Sequence, residues 1–200
     1  MGKTESTSIH NFRRKICNYI FLTLELMLNL FRIGDKSRIQ KYREKIILDE
    51  LEMVKPAPTD KILFIGCGLN PLTPMVLYKN TENVIETIDK SRLVVKLAKH
   101  LIDRRKLSDR IVVRYGDGQT FPVDKYDVII IASNASPIKG ILENIWRNMK
   151  PTAKVVCRSI KNDIEALLNR EDFREKFEIE GVIKHPGTEE YCSLVLSKKS

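Results

Sequence analysis

Apolar and polar positions along this chain fall into three regimes. Between Asn11 and Phe31 the core stretch ICNYIFLTLELMLNLF is apolar nearly all round, which predicts a helix buried on most sides and ended near Gly34. At about 100° per residue, Asn11, Asn18, Glu25 and Asn29 fall on one narrow stripe, with Arg14 and Lys15 close by. Ser37–Val54 then has a helical period, with Ile39, Tyr42, Ile46, Ile47, Leu51 and Val54 on its apolar positions. Pro56 and Pro58 stop it and form a short linker.

From Lys61 short apolar runs alternate with helical patterns. Strands are expected at Lys61–Gly66, Asn83–Asp89, Ile111–Gly116, Tyr126–Ser133 and Lys154–Ser159. Helices are expected at Thr73–Lys79, Ser91–Leu107, Pro137–Met149 and Asn162–Arg170, with Trp146 on the core face of its helix. Alternation at this spacing gives an α/β fold, a mostly parallel sheet covered on both faces. The tail differs: Phe177–His185 and Tyr191–Lys198 are strand-like runs joined by Pro186-Gly187-Thr188-Glu189-Glu190, with no helix between. So short a connection permits only an antiparallel pair. The expected organisation is a helical extension over residues 1–58 and a Rossmann-like domain over 59–200.

Two hundred residues with 42 % apolar content suffice for one core that folds without staples. Cys17, Cys67, Cys157 and Cys192 lie far apart with no CxxC, so no metal site is expected, and a reducing, cytoplasmic setting fits. The apolar run at 16–31 has no small-residue cleavage site, so no cleavable signal peptide is expected. At sixteen residues and with Glu25 inside, it is short of a bilayer span. Packing against the domain or in a homodimer, and contact with a membrane surface, are the two roles left for it. The net charge of +9 raises nucleic acid as a partner, through the basic helix from Lys96 to Arg114. No RNA-binding motif accompanies the charge, and a generally basic surface is favoured.

Candidate chemistry concentrates in Lys61–Tyr78, KILFIGCGLNPLTPMVLY, where a buried strand ends in Gly66-Cys67-Gly68 and a helix opens near Thr73-Pro74. Glycine lets the backbone turn sharply and approach a ligand without a Cβ in the way. Thr73 is suited to the N-cap, with Pro74 at the first helical position. In a doubly wound sheet, the first βα turn is where nucleotide-like ligands sit. Asp89 closes the second strand, 21 residues after Gly68, where a carboxylate can accept both ribose hydroxyl protons. Its alternative role is as charge at the N-terminus of the helix beginning near Ser91. Asp117, between Gly116 and Gly118, can accept from an adenine amino group or serve the turn itself. Ser133-Asn134 follow the fourth strand at the carboxyl edge, where reacting groups of open α/β enzymes lie. Asp127, at the other end of that strand, is assigned a structural role. His10 and His100 are expected in solvent, and His185 in turn hydrogen bonding or packing.

A parallel sheet ending in an antiparallel hairpin resembles the class I S-adenosylmethionine (SAM) transferase fold. The usual third glycine of that turn is replaced by Asn70-Pro71-Leu72-Thr73, and FIGCGLNPLTPMVL resembles the nicotianamine synthase signature. Lys41-Tyr42 with Asp49-Glu50-Leu51 is similar to that family's tyrosine and glutamate-leucine helix. Cys157-Arg158-Ser159 is similar to its arginine-serine strand end, and His185-Pro186 with Glu189 and Ser193-Leu194-Val195 to its histidine-proline hairpin. The likeness spans roughly residues 40–198.

The resemblance implies SAM as co-substrate, held by Gly66, Cys67, Gly68, Asn70, Thr73, Asp89, Asp117, Gly118, Ser133 and Asn134, with no metal. It implies transfer of the 3-amino-3-carboxypropyl group to an amine of a small molecule. The fold equally hosts methyl transfer, to a small molecule or to RNA, and that alternative stays open. Because the family carries a catalytic glutamate in an N-terminal helix, Glu25 is the candidate here, with Tyr42 assisting. An NAD oxidoreductase is disfavoured by the missing third glycine and the lack of a substrate domain.

Overall fold

The structure, a computed structural model, describes residues 36–185 and 191–199. Residues 40–200 form one compact unit. Its elements are α1 (Lys36–Val54), β1 (Lys61–Ile65), α2 (Leu72–Asn80), β2 (Val84–Asp89), α3 (Arg92–Arg104), β3 (Ile111–Tyr115) and β4 (Val128–Ile131). They continue with α4 (Ile138–Asn148), β5 (Lys154–Ile160), α5 (Lys161–Leu168), α6 (Glu171–Arg174), β6 (Phe177–Lys184) and β7 (Tyr191–Lys198).

Ile62–Ile65 of β1 and all of β4 are apolar and buried because both faces of the sheet are covered. Alternate residues serve opposite sides. Ile62 and Phe64 of β1 join Ile47 and Val54 of α1, Met75 and Leu77 of α2, and Val94, Ala98 and Ile102 of α3 in one core. Leu63 and Ile65 join Ile141, Leu142 and Ile145 of α4 in the other, with Trp146 packed at its margin. Within α3, Val94, Ala98 and Ile102 recur every fourth residue, so one stripe is buried. The Ser91 hydroxyl caps α3 by accepting from the Val94 N–H at 3.4 Å.

The strand order is β3-β2-β1-β4-β5-β7-β6. β1 through β5 run parallel, and β7 pairs antiparallel with both β5 and β6. The alternating pattern and the short tail connection therefore gave the correct sheet, hairpin included. Helices differ in detail. The helix expected at Asn162–Arg170 is α5, and a further short helix, α6, follows it with its Phe173 side chain buried in the core. α2 opens at Leu72 with Pro71 as its cap residue, and Thr73 lies inside its first turn rather than at the N-cap. Pro74 is tolerated there because the first four N–H groups of a helix lack intrahelical acceptors.

Asp127 is structural, as expected: it accepts from the Lys61 N–H at 2.9 Å and from Lys150 Nζ at 2.5 Å. Burial opposes its ionisation, but Lys150 and the Lys61 N–H outweigh that and hold its carboxyl below the usual range. Among the described residues, no helix is long and apolar enough to cross a membrane, and no cluster of potential metal ligands occurs.

Candidate active site at the carboxyl edge of the sheet

The turn after β1 swings across the end of β2. The N–H groups of Gly66 and Cys67 both donate to the Ile88 carbonyl, at 2.9 and 3.1 Å. Gly66 and Gly68 take positive φ, +92° and +63°, which L side chains rarely adopt. The Gly68 N–H then donates to Asp89 Oδ2 at 3.3 Å, and the Ser91 N–H donates to Oδ1 at 2.9 Å. One main-chain donor per oxygen fixes the carboxylate and leaves lone pairs on both. Asp89 thus serves the start of α3 while also bonding the glycine turn. A Cβ built on Gly68 meets nothing within 4 Å, so that side of the turn is open.

Gly66 is the close-approach glycine. A Cβ there would lie 3.1 Å from Ala132 Cβ and 3.8 Å from Asn134 Oδ1. The exposed Ser133-Asn134 pair therefore borders the same turn. Asp117 is brought beside Asp89 because the Gly116 N–H donates to the Asp89 carbonyl at 3.1 Å. Its Oδ1 accepts from the Gln119 N–H at 2.9 Å, the turn-serving bond, and Gln119 Nε2 lies 3.3 Å from both oxygens. Asn70 is half-buried in the turn, its carbonyl accepting from the Leu72 N–H at 2.7 Å.

Three candidates act differently from expectation. Cys67 turns its thiol into the core, at 3 % exposure, leaving only its main chain to face a ligand. Burial first, then Asp89, pushes that thiol up to about 12, so it stays protonated. Gly118 is buried, and a Cβ there would lie 2.8 Å from Ile65 Cγ2 and 3.1 Å from Ile141 Cγ1. Core packing therefore explains this glycine. Thr73 is buried and accepts from Arg158 Nη1 at 2.9 Å.

That last contact opens onto a network the sequence did not disclose. Arg158, from β5, donates through Nε and Nη2 to the two oxygens of Glu50 on α1, at 2.8 and 2.5 Å. Ser193 Oγ, from β7, donates to Glu50 Oε1 at 2.6 Å. His185 Nε2 lies 2.8 Å from Ser193 Oγ. The serine has one proton and gives it to Glu50, so the histidine nitrogen is the donor in that contact. Burial holds the His185 imidazole below its ordinary value; Glu50 pulls it up and Arg158 pushes it down. His185 thus makes the packing and hydrogen-bonding contact expected of it. Nothing but the scattered fragments around Glu50, Thr73, Arg158, His185 and Ser193 hinted that these residues would meet.

On α1, the Tyr42 hydroxyl is buried with no hydrogen-bond partner among the described residues. Burial raises its pKa, so at neutral pH it is a phenol that can give one hydrogen bond and accept another. Glu25, with the stripe of polar residues around it, lies outside the described residues, as do Pro186 and Glu189.

The model of the family described as nicotianamine synthase protein matches residues 42–200. The chain belongs to the nicotianamine synthase family. Its match begins at Tyr42 and takes in every segment of the Glu50–Arg158 network. Among solved structures, a mutant of MtNAS in complex with S-adenosylmethionine is similar, at 19 % identity and a TM-score of 0.75, over 94 % of this chain and 76 % of that one. MtNAS in complex with MTA and tNA is similar at 21 % identity and 0.67, over 78 % and 60 %. A putative S-adenosyl-L-methionine-dependent methyltransferase from Methanococcus maripaludis is similar at 17 % identity and 0.61, over 80 % and 86 %. These likenesses establish the class I SAM-methyltransferase fold for a member of the nicotianamine synthase family. The chain spans only 60 % of the MtNAS chain in two of its matches. No curated protein matches it.

Proposed function

We propose that this protein is a SAM-dependent transferase that moves the 3-amino-3-carboxypropyl group of SAM onto an amine of a small molecule. The supporting observation is the Asp89 carboxylate, fixed by two main-chain N–H groups beside the uncrowded Gly68, in a chain of the nicotianamine synthase family. A carboxylate with free lone pairs on both oxygens suits two ribose hydroxyls. Asp117, Ser133, Asn134 and the main chain of Gly66, Cys67 and Asn70 complete the cofactor cradle in this proposal. Gly118 contributes only by letting the neighbouring backbone pack closely. Thr73 acts through its place in the first turn of α2.

All three carbons on a sulfonium are electrophilic, so placing the nucleophile in line with one of them selects the reaction. The amine nitrogen forms a bond to the terminal carbon of the aminocarboxypropyl group. The carbon–sulfur bond breaks, and its electron pair leaves with methylthioadenosine. The amine sheds a proton, for which we assign Glu25 as acceptor, with the Tyr42 phenol orienting the amine. No step calls for a metal. We place the protein in the cytoplasm, where the buried Cys67, Cys157 and Cys192 stay reduced.

The test is product analysis after incubation with SAM and a panel of small amines. Methylthioadenosine is expected. S-adenosylhomocysteine instead would assign methyl transfer, the activity named for the Methanococcus neighbour, and refute the aminocarboxypropyl assignment.

A further inference from the structure

We infer that the Glu50–Arg158–Ser193–His185 network is a positioning device that ties the C-terminal hairpin to the SAM turn through Thr73. The inference rests on the SAM-binding proposal above. Four segments far apart in sequence meet here: α1, the first turn of α2, the end of β5, and the end of the β6–β7 hairpin. Ser193 and Glu50 are 143 residues apart. The hydrogen bonds run without a break from His185 Nε2 through Ser193, Glu50 and Arg158 to the Thr73 hydroxyl.

Stability alone is a poor reason to build such a chain. Glu50 is 1 % exposed and the Arg158 side chain 12 %, and taking both charges from water costs as much as their attraction returns. What a satisfied buried network does supply is a single geometry. Its far end is the informative one. Thr73 lies in the first turn of the helix that follows Gly68, so its position sets the height of the α2 N-terminus against the glycine turn. Arg158, Glu50, Ser193 and His185 are therefore positioning residues. They act on SAM through Thr73 and the turn, and the hairpin reaches the cofactor site without touching it.

The experiment is a double-mutant cycle on SAM affinity, measured by isothermal titration calorimetry, with Ser193→Ala and Thr73→Val. Each single change is expected to weaken SAM roughly fivefold, and the double change no more than the weaker-binding single. Because Ser193→Ala touches a fully buried site, His185→Leu and His185→Gln are measured beside it. The leucine is expected to weaken SAM and the glutamine, whose amide can still donate to Ser193, to restore it. Wild-type affinity in Ser193→Ala and His185→Leu, even with a lowered melting temperature, would show a purely structural network and overturn the inference. So would effects that multiply independently. If wild-type protein itself gives no SAM binding, the transferase proposal falls and takes this inference with it. Normal wild-type binding with unresponsive variants removes only the inference.

Discussion

Replacing Arg158 by methionine isolates the energetics of the buried ion pair. The change removes both donors to Glu50 and the donor to Thr73 while keeping most of the side-chain volume. Glu50, 1 % exposed, is left with the Ser193 hydroxyl as its remaining hydrogen bond among the described residues. An uncompensated buried charge of this kind costs about 3–5 kcal/mol. For a domain of this size each kcal/mol moves the melting temperature by about 2–4 °C, so a fall of roughly 6–20 °C is expected. Glu50→Leu should cost about as much, since it strands the guanidinium. The double variant Glu50→Leu/Arg158→Met removes both charges and should lose well under the sum of the singles, retaining mainly the cost of the orphaned Thr73 hydroxyl, about 1–3 kcal/mol, because Ser193 keeps its contact with His185. Thermal and urea unfolding followed by circular dichroism reads all three. A shift under about 2 °C for Arg158→Met would mean that the pair behaves as a solvated surface bridge. Additive singles would equally refute the coupling.

Three further outcomes are expected from the same structure. Gly118→Ala, whose Cβ would sit 2.8 Å from Ile65 Cγ2, should destabilise by about 1–3 kcal/mol in urea unfolding; an unchanged midpoint would show that the core gives way there. Gly68→Val should cost about 1–2 kcal/mol from its φ of +63°, yet fold, because nothing crowds its Cβ. It should abolish SAM binding in calorimetry, and intact affinity would place the cofactor elsewhere. His185 sits below the ordinary histidine value of 6.5, so the unfolded chain takes up its proton first as pH falls. Stability should therefore be full above about pH 7 and drop as pH falls through 6.5 toward the depressed folded value. His185→Gln should flatten that part of the profile, and an unchanged profile would assign the acid sensitivity to other groups.

The parallel sheet was legible because its signal is local and repeated. ILFI and VIII can be apolar throughout only if both faces are covered, and the five-residue link at Pro186–Glu190 admitted no crossover. The placement of Asp89 was legible for the same reason: a carboxylate closing the second strand must stand at the carboxyl edge. Side-chain direction within the glycine turn was not. Cys67 and Gly118 sit in ligand-like sequence positions, but one thiol points into the core and one missing Cβ makes room for Ile65. Thr73 looked like an N-cap because threonine before proline suits one. The partly buried Arg158 guanidinium claimed its hydroxyl instead.

Sequence alone determined what depends on neighbours along the chain: the β/α rhythm, the antiparallel ending, the glycine turn and the carboxylate that faces it. It also carried the family likeness, as short fragments with no visible reason to occur together. The tertiary structure supplied that reason by bringing Glu50, Thr73, Arg158, His185 and Ser193 within hydrogen-bond reach. Hydrophobic period is written residue by residue. A hydrogen bond between side chains 143 residues apart exists only once the sheet has closed the distance.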